Sequence, residues 1–178
     1  MSDWRPGDRR ADRAAMIRVD QAGEYGATRI YAGQLAVLRR NAPEAKLISR
    51  MAAQEERHLK RFDRLVAERG VRPTTLQPFW NVAGFALGAA TALISEKAAL
   101  ACTDAVETVI DRHYGQQLEE IGDDDAELSA DVTQFRAEEV EHRDTARAAG
   151  AANAPAYPLL TAAIRAGCRV AIGLSKRL

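Results

Sequence analysis

The sequence predicts an all-α fold: a four-helix bundle with a long apolar helical crossover and an extra C-terminal amphipathic helix. Three observations carry this. Helical periodicity runs from about residue 12 to the C-terminus, with almost no strand signal. A charge-free stretch, residues 76–95, separates two helix pairs, where a bundle of this kind needs a long connection. The third is an internal repeat. Glu55/His58 and Glu139/His142 both read Glu-x-x-His, and Glu24 and Glu107 precede them by 31 and 32 positions.

The first helix carries Ile17, Gln21, Glu24, Thr28, Tyr31, Leu35 and Leu38 on one stripe and breaks at Asn41-Ala42-Pro43. Pro43 suits the first turn of the second helix. That helix carries Leu47, Met51, Glu55, His58, Phe62 and Leu65, and Gly70 and Pro73 end it. After the crossover, the next stripe holds Leu100, Thr103, Glu107, Ile110, Tyr114, Leu118 and Ile121. Gly122 and Asp123-Asp124-Asp125 form a turn, with Asp124 or Asp125 able to cap the next helix. This fourth bundle helix carries Leu128, Val132, Phe135, Glu139, His142 and Ala146. The final helix, from about Leu159 to Leu174, has an apolar stripe at Leu160, Ile164, Gly167, Ala171 and Leu174, and Arg165, Arg169, Lys176 and Arg177 on its polar side. Residues 1–178 read as one domain, opened by a flexible segment over 1–13 that fits neither a secretory signal nor a transit peptide.

Chemistry follows from where the repeat falls. Glu and His three apart project from one helix face. All four glutamates and both histidines lie on apolar stripes, where an unpaired carboxylate costs on the order of several kcal/mol. Two divalent cations would balance the four carboxylates. The set Glu24, Glu55, His58, Glu107, Glu139 and His142 therefore predicts a di-metal site, with Glu24 and His58 on one metal, Glu107 and His142 on the other, and Glu55 and Glu139 bridging. Carboxylate-rich ligation favours iron or manganese over zinc or copper. Asp20, one turn before Glu24, is a candidate to orient a ligand histidine. Glu56, Glu138 and Glu141 read as surface charge. Cys102 and Cys168 fit no metal or redox spacing and read as buried reduced thiols. A net charge of zero, from 25 basic and 25 acidic residues, argues against nucleic-acid binding.

The strings RVDQAGEYGATRIYAGQ (18–34), QEERHLKRF (54–62), ACTDAVETVIDRHYGQQL (101–118) and EEVEHRDTA (138–146) resemble the demethoxyubiquinone hydroxylases of ubiquinone biosynthesis. The resemblance runs from about Ala14 to the C-terminus and implies a ferritin-like bundle with two iron ions per chain on the six residues above. It implies oxygen-dependent hydroxylation of a polyprenylated methoxy-benzoquinol, with NADH as electron donor. His113 and Tyr114 match the family's His-Tyr pair near the quinone, and Gln21 replaces the histidine usual in eukaryotic members, at a position that is not a ligand. A lipid-binding partner protein of the same pathway is also implied. So is a peripheral place on the cytoplasmic face of a bacterial membrane, or on the mitochondrial inner membrane in a eukaryote. Residues 76–95, with Phe79 and Trp80, and the basic last helix suit a membrane surface. The alternative for both segments is packing on the bundle or on a second copy in a homo-oligomer. A ferroxidase or peroxide-reducing ferritin or rubrerythrin relative would share the six ligands but has no use for an apolar crossover. A lipid-binding scaffold with a structural metal is the non-enzymatic alternative.

Overall fold

The computed structural model describes residues 12–178. Among these, six α-helices and one 3-10 turn occur in order: α1 Arg13–Val37, α2 Pro43–Glu68, α3 Gln77–Ile94, α4 Glu96–Ile121, α5 Ala126–Ala148, the turn Ala151–Asn153, and α6 Tyr157–Ser175. The segment expected over 1–13 lies outside the described residues except for Asp12 and Arg13. Those two begin α1, Asp12 accepting from the Ala15 amide as N-cap. Pro43 occupies the first turn of α2, and Asp125 caps α5 by accepting from the Leu128 amide. Gly70, Gly122 and Gly150 come after three of the bundle helices with positive φ, which glycine adopts without steric cost.

Helices α1, α2, α4 and α5 form the bundle, with α1 packed on α2 and α4 on α5. Arg61 of α2 and Arg69 just after it pair with Asp131 and Asp125, tying α2 to the α5 side. The crossover α3 lies on α1, and α6 lies on α4, so the two outer helices cover one side of the bundle. This extra layer explains why α1 buries Val19 and Ala22 in addition to its predicted stripe, while Asp20 and Gln34 are buried with hydrogen bonds to α4. The expected α6 stripe faces inward at Leu160, Ile164, Gly167 and Ala171, which line a cavity, and departs from expectation at Leu174. Thr161, Ile164 and Ser175 are its buried positions, whereas Leu174 is 39% exposed. Trp80 also departs from a free interfacial role. It is half-buried, and its Nε1 donates to Ser175 Oγ at 3.1 Å, joining α3 to α6.

Two apolar clusters bracket the middle of the bundle. One contains Tyr31, Ile48, Met51 and Leu100; the other contains Ile17, Phe62, Tyr114, Leu128 and Phe135. Between them fall the predicted glutamates and histidines. Outside, α1 and α3 meet backbone to backbone. A Cβ at Gly88 would lie 1.9 Å from the Ile30 carbonyl oxygen, and one at Gly33 2.1 Å from that of Phe85. Gly88→Ala should therefore lower the melting temperature, since overpacking of about 1–3 kcal/mol exceeds the helix-propensity gain of about 1 kcal/mol. Gly23→Ala, with nothing within 4 Å of the added methyl, should leave it unchanged or raised. Thermal melts of the two variants check the contrast.

Candidate metal centre

The fold brings all six predicted residues together from four helices. Glu24, Glu55, His58, Glu107, Glu139 and His142 are each at most 4% exposed. They form two overlapping groups, Glu24–Glu55–His58–Glu139 and Glu55–Glu107–Glu139–His142, each with ligand atoms within 4.8 Å of one another. Glu55 and Glu139 are common to both. His58 Nδ1 lies 3.1 Å from Glu139 and 3.4 Å from Glu24; His142 Nδ1 lies 3.1 Å from Glu55 and 3.0 Å from Glu139. Each histidine thus aims Nδ1 at the carboxylates.

The internal repeat extends beyond these six. Tyr31 and Tyr114 each stand seven residues after Glu24 and Glu107 and donate across the bundle. Tyr114 Oη donates to Glu24, and Tyr31 Oη to Glu107 at 3.2 Å. Tyr31 was legible as core only; its matched spacing to the carboxylate was the available signal. The outer ring nitrogens are matched too. His58 Nε2 contacts Glu138 at 2.9 Å, and His142 Nε2 contacts Gln54 at 2.9 Å. Glu138 is therefore not plain surface charge. It reaches from α5 to a histidine of α2, a contact that periodicity along one helix does not reveal.

Asp20 also differs from expectation. It touches neither ligand-set histidine. Its Oδ1 meets His113 Nε2 at 3.1 Å and accepts from Gln117 Nε2 at 2.9 Å, while Oδ2 is buried without a hydrogen bond. His113 is partly exposed and Tyr114 is buried, and both line a small cavity of about 30 Å³ with Asp20, Glu24, Glu55, Glu107 and Glu139. Gln21 donates to Asp63 at 3.0 Å, joining α1 to α2 away from the carboxylates. Cys102 is fully buried and Cys168 partly; both are free thiols.

The protonation pattern fits a site built for cations. Burial, together with mutual repulsion, pushes Glu55 and Glu107 well above the ordinary carboxylate range; burial also raises Glu24. Burial acts the same way on Glu139, but hydrogen bonds from His142 and His58 outweigh it and hold this carboxyl low. Burial disfavours imidazolium, yet the hydrogen bonds to the glutamates raise His58 to about 11 and His142 to about 9. Glu138 is held low because Gln134 and His58 outweigh its own partial burial. Glu24 Oε2 and Glu55 Oε1 are buried with no hydrogen bond, their nearest cationic neighbours lacking hydrogen-bond geometry. Protons shared among four carboxylates and two imidazoles leave these oxygens unmet; two divalent cations would meet them.

These shifts make stability depend on pH. Raised Glu24, Glu55, Glu107, His58 and His142 mean that the metal-free native state binds more protons than the unfolded chain. Stability then falls as pH rises, from above the unfolded carboxylate values through the histidine values near 9 and 11. The low Glu139 acts oppositely, but only in acid below its ordinary value of 4.5. Chelated protein should lose melting temperature between about pH 5 and 9. Metal-loaded protein should lose less, because cations replace the protons. Parallel melts across that range check it.

Fold and cluster together define a ferritin-like helical bundle whose centre gathers four carboxylates and two imidazoles. A family model described as "Ubiquinone biosynthesis protein COQ7" matches residues 11–175, and the chain belongs to that family. It is 57% identical to the 3-demethoxyubiquinol 3-hydroxylase of Rhodospirillum rubrum over 91% of this chain and 76% of that protein. It is 53% identical to the rat NADPH-dependent 3-demethoxyubiquinone 3-hydroxylase, mitochondrial, over 91% and 76%. It is 42% identical to the yeast 5-demethoxyubiquinone hydroxylase, mitochondrial, over 92% and 77%.

Proposed function

We propose that this chain is a monooxygenase that hydroxylates the ring of a polyprenylated demethoxyubiquinol at a di-iron centre. One oxygen atom enters the ring, and the other leaves as water with two electrons from a reduced nicotinamide, NADH in this reading. The mammalian relatives are named for NADPH. The observation that carries the proposal is an apolar cavity of about 480 Å³ between α1, α3, α4 and α6. Val19, Gly23, Ala27, Val106, Ile110 and Ile172 line both it and the small cavity at the carboxylates. Its size suits a substituted ring with the start of an isoprenoid tail.

Each group has a part in this reading. Glu24, His58, Glu55 and Glu139 would hold one iron, and Glu107, His142, Glu55 and Glu139 the other; manganese suits the same donors. When bound, the metal pair supplies the electron transfer to oxygen. Tyr114 and Tyr31 fix the two terminal carboxylates. His113 and Tyr114 are the catalytic residues at the quinol's ring, with His113 oriented by Asp20. The apolar wall keeps water from the reacting atoms. A ferroxidase would leave the large cavity without a use. Metal-loaded protein with NADH should consume oxygen only when a short-tail demethoxyubiquinol is present. Equal uptake without the quinol contradicts the proposal and favours the ferroxidase or peroxidase alternative.

No helix among the described residues is long and apolar enough to cross a membrane. We read α3 and α6 as lying on its surface. Phe79, Val82, Leu93 and Ile94 of α3, and Leu159 and Val170 of α6, are exposed around the cavity's helices. Arg169 and Arg177 on and after α6 are exposed and suit anionic headgroups. Phe79→Asp with Val82→Asp should release the protein from anionic liposomes in a flotation assay while metal content stays normal. Trp80 is left intact because it joins α3 to α6. Unchanged flotation would assign these faces to a second copy or to the pathway's lipid-binding partner.

A further inference from the structure

The pseudo-repeat that builds the centre is broken at the position just before each central glutamate. Residues 54–58 read QEERH and 138–142 read EEVEH. The residue before each central glutamate crosses to the histidine of the other half. Glu138 therefore meets His58 Nε2, and Gln54 Oε1 meets His142 Nε2, both at 2.9 Å. With Nδ1 of each ring facing the carboxylate cluster, Nε2 carries the outward proton and donates. One imidazole donates to a carboxylate and the other to a neutral amide.

Resting on the ligand reading above, we propose that Glu138 is a positioning residue that makes the two metal positions unequal, the Glu24/His58 position being the stronger and the first to fill. A hydrogen bond to an ionised acceptor is about twice as strong as one to a neutral acceptor. It leaves more electron density on the metal-facing nitrogen, and such outer partners shift metal affinity by roughly 10–100-fold. The carboxylate is itself well placed. Gln134 Nε2 donates to its Oε1 at 2.9 Å, and the His58 ring is stacked on Phe135 at 4.1 Å between centroids. Arg57 approaches Glu138 at 3.5 Å but is mostly exposed, so water screens most of its competing charge.

The test is a cobalt(II) titration of chelated full-length protein, monitored by the metal's visible absorption, with folding checked by circular dichroism. Wild type should bind two ions in two steps. Glu138→Gln should weaken the first step by roughly tenfold and change the second little. Gln54→Glu should tighten the second step instead. Opposite responses to the two swaps are not expected of a hydrogen bond that merely supports the fold. First-step affinity unchanged in Glu138→Gln, or both variants weakening both steps alike, overturns the inference. Wild type that binds no cobalt overturns the ligand reading instead.

Discussion

Glu139→Ala is expected to abolish binding of the metal pair proposed for the carboxylate-histidine centre, with helical content retained. Glu139 is the carboxylate nearest the Nδ1 atoms of both histidines, at 3.1 Å for His58 and 3.0 Å for His142. It belongs to both candidate ligand groups. Its loss thus reaches both metals, and affinity should fall by more than the roughly 10–100-fold that results from disturbing a ligand histidine's outer hydrogen bond. The fold should survive for an electrostatic reason. Glu139 is the largest neighbouring charge raising Glu55 and Glu107, so removing it relieves repulsion as it strands the two imidazoles. Metal analysis after reconstitution reads the result, with Glu139→Gln as the isosteric companion. Two metals per chain in both variants would remove Glu139 from the ligand set.

Gly23→Leu should separate substrate access from metal binding. Gly23 lines both cavities, and its missing Cβ faces open space. A leucine there projects into the passage shared by the two cavities, and leucine is the better helix former by nearly 1 kcal/mol. Turnover of a demethoxyubiquinol should drop by about 100-fold or more, the scale on which displaced reactants lose rate. Metal content and melting temperature should stay at wild-type levels. Normal turnover would mean that the quinol reaches the centre by another route.

Much of this site was legible from residue types and spacing. Glutamates on apolar stripes are costly, and that cost made Glu24, Glu55, Glu107 and Glu139 conspicuous. The helix limits came from Pro43, Gly70, Gly122 and Asp125. Contacts between helices were harder to read. A helical wheel separates Glu138 from Glu139 by about 100°, which suggests solvent, yet the side chain lies against α2. Asp20 stands one turn from Glu24, but α4 supplies its partners, His113 and Gln117. Trp80 looked interfacial until α6 placed Ser175 beside its indole nitrogen. In each case the missing information was which helix lies opposite, and periodicity within one helix does not contain it.

Under the proposed function, oxygen from O₂ enters the quinol ring at the carboxylate-histidine centre. Iron-loaded protein, a short-tail demethoxyubiquinol and NADH would be mixed under isotopically labelled oxygen, and the product read by mass spectrometry. One labelled atom in a hydroxyquinol, absent from a Glu55→Ala control, is the predicted result. An unlabelled hydroxyquinol, or oxygen consumed with no ring product, would contradict it.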